Sequence, residues 1–494
     1  MKITLISPYP DITCFGLRTM SAHLKDHGHR TQLIFLPDPF GDHIREGVPR
    51  YQSAVLEKLV SLCCRSDLIG ITLMTNFFEG AVQVTERLKS RLTSPVIWGG
   101  VHPTIRPEES LRHADMVCIG EGENSLLELA NAMARGDDGA GIKNLWVKKG
   151  NDIVRNDLSP LPADLDSYSI PDYSMEDHHV MVGNNIVPLN HPLLEDFLRR
   201  GTVAEYLGKT GYQTMTSRGC PYSCAYCIND TINKMYGSKG RLRWRSTKHI
   251  MQELTWVREN MPYVDYVWIS DDEFMARKEQ DLQDFCMEYK AKIGLPFSCL
   301  VSPLSVTERK MQMLTDAGLV YVQMGIESGS ARMQQLFRRQ NMTNSRMKRA
   351  IAIINKFKEK MYSPSYDFLV DVPWETTQDK VDSLRFISEI PKPFRIQPFT
   401  LILYPGTRLY QIAKESGMIV DERKEIYNKT YVMREPNYLN LLLVLSRHGK
   451  FPSTLLRFLI SRPALAVFNS KSARPLFKGL YLATRTLHQF VKSL

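Results

Sequence analysis

The feature that most limits how this chain can fold is a run of short apolar segments alternating with amphipathic ones, which occurs twice. Between residues 1 and 135 the apolar runs fall at 2–6, 31–36, 68–73, 95–98 and 115–119, with amphipathic stretches at 17–27, 81–92 and 125–134. Parallel strands need a crossover of a dozen or more residues, usually a helix, and this spacing supplies it. The expectation is an α/β fold beginning with a doubly wound, Rossmann-like sheet, whose ligands sit beyond the carboxyl ends of the strands. The loops after residues 6, 73, 98 and 119 are therefore the first places to look.

A second alternation starts at Tyr212, with strands predicted at 212–217, 264–270, 296–301, 319–326, 366–371 and 395–403. Helices are predicted at 247–260, 278–292, 305–316, 330–339, 343–360 and 376–389. Six βα units predict a partial (β/α)6 TIM-type barrel, which also gathers its chemistry at the carboxyl strand ends. The expected domains are 1–140, a connecting segment over 141–204 that is rich in Pro and Asp, the barrel over 205–425, and a mainly helical basic extension over 426–494.

Composition excludes some classes. With 43% hydrophobic and 23% charged residues over 494 positions, the chain has the make-up of a folded multidomain protein. Its net charge of +10 is unevenly placed: residues 436–494 hold nine Lys or Arg and no Asp or Glu, leaving +1 for the remainder (10 − 9). A basic nucleic-acid-binding core is not indicated. The nine cysteines are odd in number and dispersed, which points to a reducing compartment, the cytoplasm. The opening MKITLISPYP reads as a first strand and not as an export signal, and no window has the length of apolar sequence needed to cross a bilayer.

The strongest chemical signal is TSRGCPYSCAYC at 216–227, where the first barrel strand runs into a loop carrying Cys220, Cys224 and Cys227. Three thiolates can hold three corners of a cubane 4Fe–4S cluster and leave one iron open, whereas structural zinc wants a fourth protein ligand. Gly219 and Pro221 suit a tight turn around such a group.

This CxxxCxxC spacing, with aromatic Tyr226 before the last Cys, resembles the radical S-adenosylmethionine superfamily. The resemblance implies that the open iron chelates S-adenosylmethionine and that the cluster's electron releases a 5'-deoxyadenosyl radical. Other strand ends fit it. Within GIESGS (325–330), Glu327 resembles the polar residue that contacts the cosubstrate, with Gly325 and Gly329 permitting close approach. SDDEF (270–274) is similar to the acidic and aromatic run of the cobalamin-linked branch. One departure stands out: Asp371 and Trp374 occupy places where many relatives have glycine.

A doubly wound domain before such a barrel is similar to the cobalamin-binding members. Gly99, Gly100 and His102 follow the fourth strand, and Gly120, Glu121 and Gly122 follow the fifth, all candidates for holding the corrin. The loop DITCFG (11–16) has the spacing of the cobalt-ligating DxHxxG motif with Thr13 in the histidine's place, so no imidazole from this motif is expected on cobalt.

The resemblance implies a cobalamin-dependent methyltransferase acting on an unactivated carbon of a small or lipid-like molecule. It also implies a reducing partner such as flavodoxin or ferredoxin. A radical cyclase or ring-rearranging enzyme is the alternative, and a non-catalytic cobalamin- or cluster-binding carrier is a third reading. The basic tail, with Leu, Phe and Tyr interleaved among cations, fits either a helical cap on the barrel or an interfacial membrane segment.

Overall fold

A computed structural model describes residues 1–37, 51–237, 242–428 and 436–493, the last ten of them as backbone only. The chain divides into two compact units, one formed by Met1–Pro221, Cys227–Asp271 and Leu403–Thr430, the other by Tyr222–Tyr226, Asp272–Ile402 and Tyr431–Leu494.

The first unit is built on the expected parallel strands β1 (Lys2–Ser7), β2 (Arg30–Phe35), β3 (Leu68–Thr72), β4 (Val96–Gly99) and β5 (Met116–Cys118). In space they run β5-β4-β3-β1-β2, so the chain reverses direction across the sheet between β1 and β3. Crevices form at such a switch point, because the two following loops leave in opposite directions. Strand β1 is buried on both faces, as its run of apolar residues requires. Its buried Thr4 is satisfied by Gln32 Oε1 at 3.0 Å and Ser66 Oγ at 2.6 Å.

Residues 141–204, expected only to connect, add four strands to this sheet. Leu145–Lys149 (β6) and Asp152–Arg155 (β7) form an antiparallel hairpin beyond β5. His179–Val182 (β8) and Asn185–Pro188 (β9) form another beyond β2. These strands are four or five residues long and β7 is almost wholly exposed, so their apolar alternation is too weak to show in the sequence.

The loop after β1 is set by one buried cation. Arg18, fully buried in helix Phe15–Asp26, donates from Nε to the carbonyls of Ile12 at 3.0 Å and Thr13 at 3.1 Å, and from Nη1 to that of Asp172 at 2.7 Å. Its guanidinium also lies over the rings of Phe35 and Tyr173, 4.5 and 3.9 Å from their centroids.

The same unit holds the start of the second alternation. Gly211–Thr214 (β10) pairs in parallel with Tyr266–Ile269 (β13), while Ser217–Arg218 (β11) pairs antiparallel with Arg243–Trp244 (β12). Buried Asp271 fixes where β11 begins, accepting hydrogen bonds from the backbone of Thr216 at 2.5 Å and Ser217 at 3.2 Å. The acidic run at 270–274 thus has a bracing role at the entry to the cysteine loop.

In the second unit Phe297–Val301 (β14), Leu319–Glu327 (β15), Ser365–Val370 (β16) and Arg395–Thr400 (β17) form parallel neighbours in that order. Helices Glu308–Ala317, Asn344–Asn355 and Thr377–Ser388 lie between them in sequence. Val322, Met324 and Ile326 of β15 are buried, whereas Gln323, Gly325 and Glu327 alternate with them on a less buried face.

Helices Tyr438–Ser446 and Ser453–Leu459 pack on helix Thr377–Ser388, which supports the cap reading for this part of the tail. Asn440 Nδ2 donates to Asp371 Oδ1 at 3.1 Å, and Thr400 Oγ1 donates to its other oxygen at 3.0 Å. Asp371 has φ +53, the left-handed conformation that glycine adopts freely and Asp tolerates better than most residues.

Two outcomes follow. Replacing Arg18 by Leu leaves three carbonyls without their donor, which should cost about 2–4 kcal/mol and lower the urea midpoint of the first unit. Burial pushes the Glu273 carboxyl up to about 7, with Ser305 Oγ donating to it at 2.7 Å in opposition. Because this folded-state pKa is raised, its contribution to stability is full below the unfolded value and is lost as pH rises through about 7. Thermal melts of Glu273→Gln should lack that component of the pH dependence; a profile parallel to the parent's would refute the assignment.

Candidate functional site

The cysteine loop opens with Gly219 at φ +88, a turn that a side chain would strain. Cys220 and Cys224 are buried and Cys227 is partly exposed; none is in a disulfide. Asn233 Nδ2 donates to the Cys220 carbonyl at 3.1 Å, and Ala225 N donates to the Phe337 carbonyl at 2.9 Å, fixing the loop backbone in its two units. Among the described residues no three His, Cys, Asp or Glu side chains gather as a single metal ion would require. Thiolates for a cubane stand at separate corners, so a short thiol-only loop suits the cluster's donor chemistry.

Around Cys224 the second unit assembles four predicted residues with one that was not predicted. Arg339 Nη1 lies 3.9 Å from Cys224 Sγ and donates to Tyr226 Oη at 3.2 Å, while its Nη2 donates to the Gly325 carbonyl at 2.6 Å. Tyr226 Oη donates in turn to Glu327 Oε1 at 3.0 Å, and the Tyr226 ring meets Phe337 edge-on at 5.4 Å. Glu327 sits at φ +66, where a β-bulge shifts the register between β15 and β16. A non-glycine residue held in that region is strained, and a bulge re-aims the side chain that follows it.

Gly325 leaves room for this arrangement, since a Cβ there would stand 2.5 Å from Glu327 Oε1. Burial raises the Glu327 carboxyl above its usual range, with Arg339 and the Tyr226 hydrogen bond opposing. Asp367, opposite Gly325 in register, accepts from Gln323 Nε2 at 2.8 Å and has its second oxygen, Oδ1, buried with no partner. Burial, reinforced by the Glu327 charge, pushes its carboxyl well above the carboxylate range. Gly329 serves packing alone: a Cβ there would meet the Asp382 carbonyl and Phe386 Cβ at 2.7 Å.

The strand-end loops of the first unit hold the remaining expected residues. Thr13 Oγ1 lies 2.6 Å from Asp11 Oδ1 and 3.0 Å from Gln213 Oε1, held in an Asx turn. Across the switch point Tyr9 Oη is 3.2 Å from Thr72 Oγ1. Gly100 has φ +101, and a Cβ there would stand 2.8 Å from the Leu73 carbonyl, so glycine is required. Gly99 is unconstrained by comparison, its nearest contact being ordinary.

Gly120, at φ +78, would direct a Cβ to within 1.8 Å of Tyr236 Oη, a buried hydroxyl that has no hydrogen-bond partner. The glycine makes room for that hydroxyl and its own N–H donates to Thr104 Oγ1 at 2.9 Å, so the phenol is the polar atom here that a ligand edge can satisfy. Gly122 instead makes room for Met20 and Cys118, whose atoms would lie 3.1 and 3.2 Å from a Cβ.

His102 differs from expectation. Its side chain is fully buried, with Nδ1 3.1 Å from Thr75 Oγ1 and its ring edge-on to Phe78 and Tyr427 at 4.8 and 5.5 Å. Burial pulls its pKa down to about 3, with the Arg106 and Arg423 charges adding to the effect, so the ring is neutral and faces a core. Glu121 is likewise committed: its carboxylate pairs with Arg218 Nη1 at 3.2 Å and with Arg243. Arg218, two residues before Cys220, also pairs with buried Glu123 and lies 5.1 Å from the Tyr168 ring centroid. Burial alone would raise the Glu123 carboxyl, but Arg218 overcomes it and holds the group below its usual range.

Sequence reasoning missed Arg18, Arg218, Arg339 and Asp367. Only Arg218 carried a signal, its place beside the cysteine loop.

Residues 214–387 match the model of the radical SAM superfamily, and residues 1–130 match that of the B12 binding domain. The chain is 26% identical over 363 residues to an uncharacterised methyltransferase of Pyrococcus horikoshii, covering 72% of this chain and 71% of the relative. It is 23% identical over 388 residues to the bacteriochlorophyllide d C-8(2)-methyltransferase of Chlorobaculum tepidum, covering 76% and 75%. The fold resembles that of the radical S-adenosylmethionine methyltransferase TsrM of Kitasatospora setae, with a TM-score of 0.64 at 17% identity over 84% of this chain and 76% of that one. The chain therefore joins a B12 binding domain to a radical SAM superfamily region, a pairing whose cofactors are a 4Fe–4S cluster, S-adenosylmethionine and cobalamin.

Proposed function

We propose that this enzyme reductively cleaves S-adenosylmethionine at a cluster held by Cys220, Cys224 and Cys227, and methylates an unactivated carbon of a small molecule with cobalamin. The proposed division of labour is residues 1–140 for cobalamin, 205–425 for the radical step and 426–494 as an extension. The observation that carries this reading is the chain Cys224–Arg339–Tyr226–Glu327. It sets a strained carboxylate on the face of β15 that continues from a cluster thiol. When bound, the cluster supplies the electron and cobalamin the methyl group.

The protein's own residues orient and exclude. Glu327, aimed by its bulge and steadied by Tyr226, is placed to bind the ammonium or ribose hydroxyls of the cosubstrate. Arg339 offers a guanidinium donor to the Cys224 sulfur and ties it to Tyr226 and Gly325. In this reading the Gly100 and Gly120 turns lie against the corrin, with Thr13 and Tyr236 beside it and no imidazole supplied by the 11–16 loop. Asp367, whose Oδ1 is buried without a partner, is a polar group available to substrate on the same face. A flavodoxin- or ferredoxin-like protein is the proposed electron donor.

Anaerobically reconstituted protein should release 5'-deoxyadenosine under strong reductant, and Cys224→Ala should release none. Glu327→Gln should lower the rate by roughly 10- to 100-fold, the worth of one charge-assisted hydrogen bond. No cleavage by the parent protein would refute the enzymatic reading. Purification with cobalamin should leave a corrinoid absorbance that Gly120→Val removes, and an unchanged spectrum would clear that loop of the role. Comparing metabolites of a deletion strain with its parent should reveal a product missing one methyl group; a missing product without that mass difference would point to cyclisation.

A further inference from the structure

The second unit ends in a surface that its own packing does not explain. Of the fifteen large hydrophobic side chains that are exposed among the described residues, seven lie between Leu445 and Leu482. They include Phe458 at 64%, Val467 at 61% and Leu476 at 62% exposure. Helix Arg474–Ser493 shows the pattern clearly. Phe477 and Tyr481 turn inward, with Phe477 4.7 Å from the ring of Tyr438. Leu476 and Leu480, four residues apart, form a second apolar row on another side, and both are exposed. A helix that only capped its own domain would need the first row and not the second.

Charge identifies what covers this face. Lys450, Arg462, Lys471, Arg474 and Lys478 are exposed around it, and residues 436–494 contain no Asp or Glu to offset them. A second copy of the same patch would bring cations against cations. An anionic bilayer offers both a complementary charge and an apolar layer within reach of side chains such as Phe458 and Leu476, with Lys and Arg stems reaching up to the headgroups. Among the described residues no helix is long and apolar enough to cross a membrane, so the contact is interfacial.

We propose that residues 445–482 form a face that binds the surface of an anionic lipid bilayer. The test is co-sedimentation of the full-length protein with vesicles of phosphatidylcholine alone or mixed with phosphatidylglycerol. Binding should require phosphatidylglycerol and weaken as salt rises. Lys471→Gln, Arg474→Gln and Lys478→Gln together should lower the partition coefficient by roughly 100-fold, given the usual contribution of each cation near an anionic surface. Phe458→Ser, Leu476→Ser and Leu480→Ser together should abolish binding while leaving the circular dichroism spectrum intact, because these side chains are exposed. Equal sedimentation with both vesicle types, or parental binding by the apolar triple variant, would overturn the proposal. A lipid-free change of oligomeric state in that variant would overturn it in favour of self-association.

Discussion

Burying a guanidinium is costly unless its donors find acceptors, and several of this protein's strand-end turns are organised around that requirement. Arg18 gathers the carbonyls of Ile12, Thr13 and Asp172. Arg218 draws in Glu121 and Glu123. Arg245 pairs with Glu253, which also accepts from Tyr212 Oη at 2.8 Å. Arg339 collects Gly325, Tyr226 and Glu327. Each cation has few ways to be satisfied, so each selects one conformation for a loop that has no regular backbone pairing of its own. Loops at strand ends are otherwise the most mobile parts of such folds. Here buried ion pairs and hydrogen bonds tie them to the elements around them.

The turn after β5 and the strand that enters the cysteine loop are joined inside one compact unit. The glycine-rich turn after β5 and the strand entering the cysteine loop share Arg218, and β12 contributes Arg243 to the same carboxylate of Glu121. A charge network of this kind resists separation, because removing one member leaves another buried without a partner. The conformation of the turn after β5 therefore depends on the strands that flank the cysteine loop.

Much of this was legible in the sequence. Strands such as Leu68–Thr72 and Leu319–Glu327 announced themselves by apolar runs between helical periods, and the three cysteines by spacing alone. What was hidden falls under two physical causes. The hairpins at Leu145–Arg155 and His179–Pro188 are short, and their exposed edges need no apolar face, so hydrophobic patterning could not find them. Arg339 and Asp367 act through contacts made only once distant segments meet, which no local pattern encodes. His102 shows the converse error: a histidine in a promising loop was drawn into the core by Phe78 and Tyr427, residues 24 positions before it and 325 after it.

That aromatic contact bears on the order in which the molecule can be made. The first unit takes in Leu403–Thr430, so Tyr427 and the Arg423 that bonds Glu109 reach it only after residues 272–402 have been synthesised. At ribosomal speeds that interval is on the order of ten seconds. During it the ring of His102 and the carboxylate of Glu109 await their partners, and the nascent sheet stands as an incomplete domain, exposed to chaperones and to premature association.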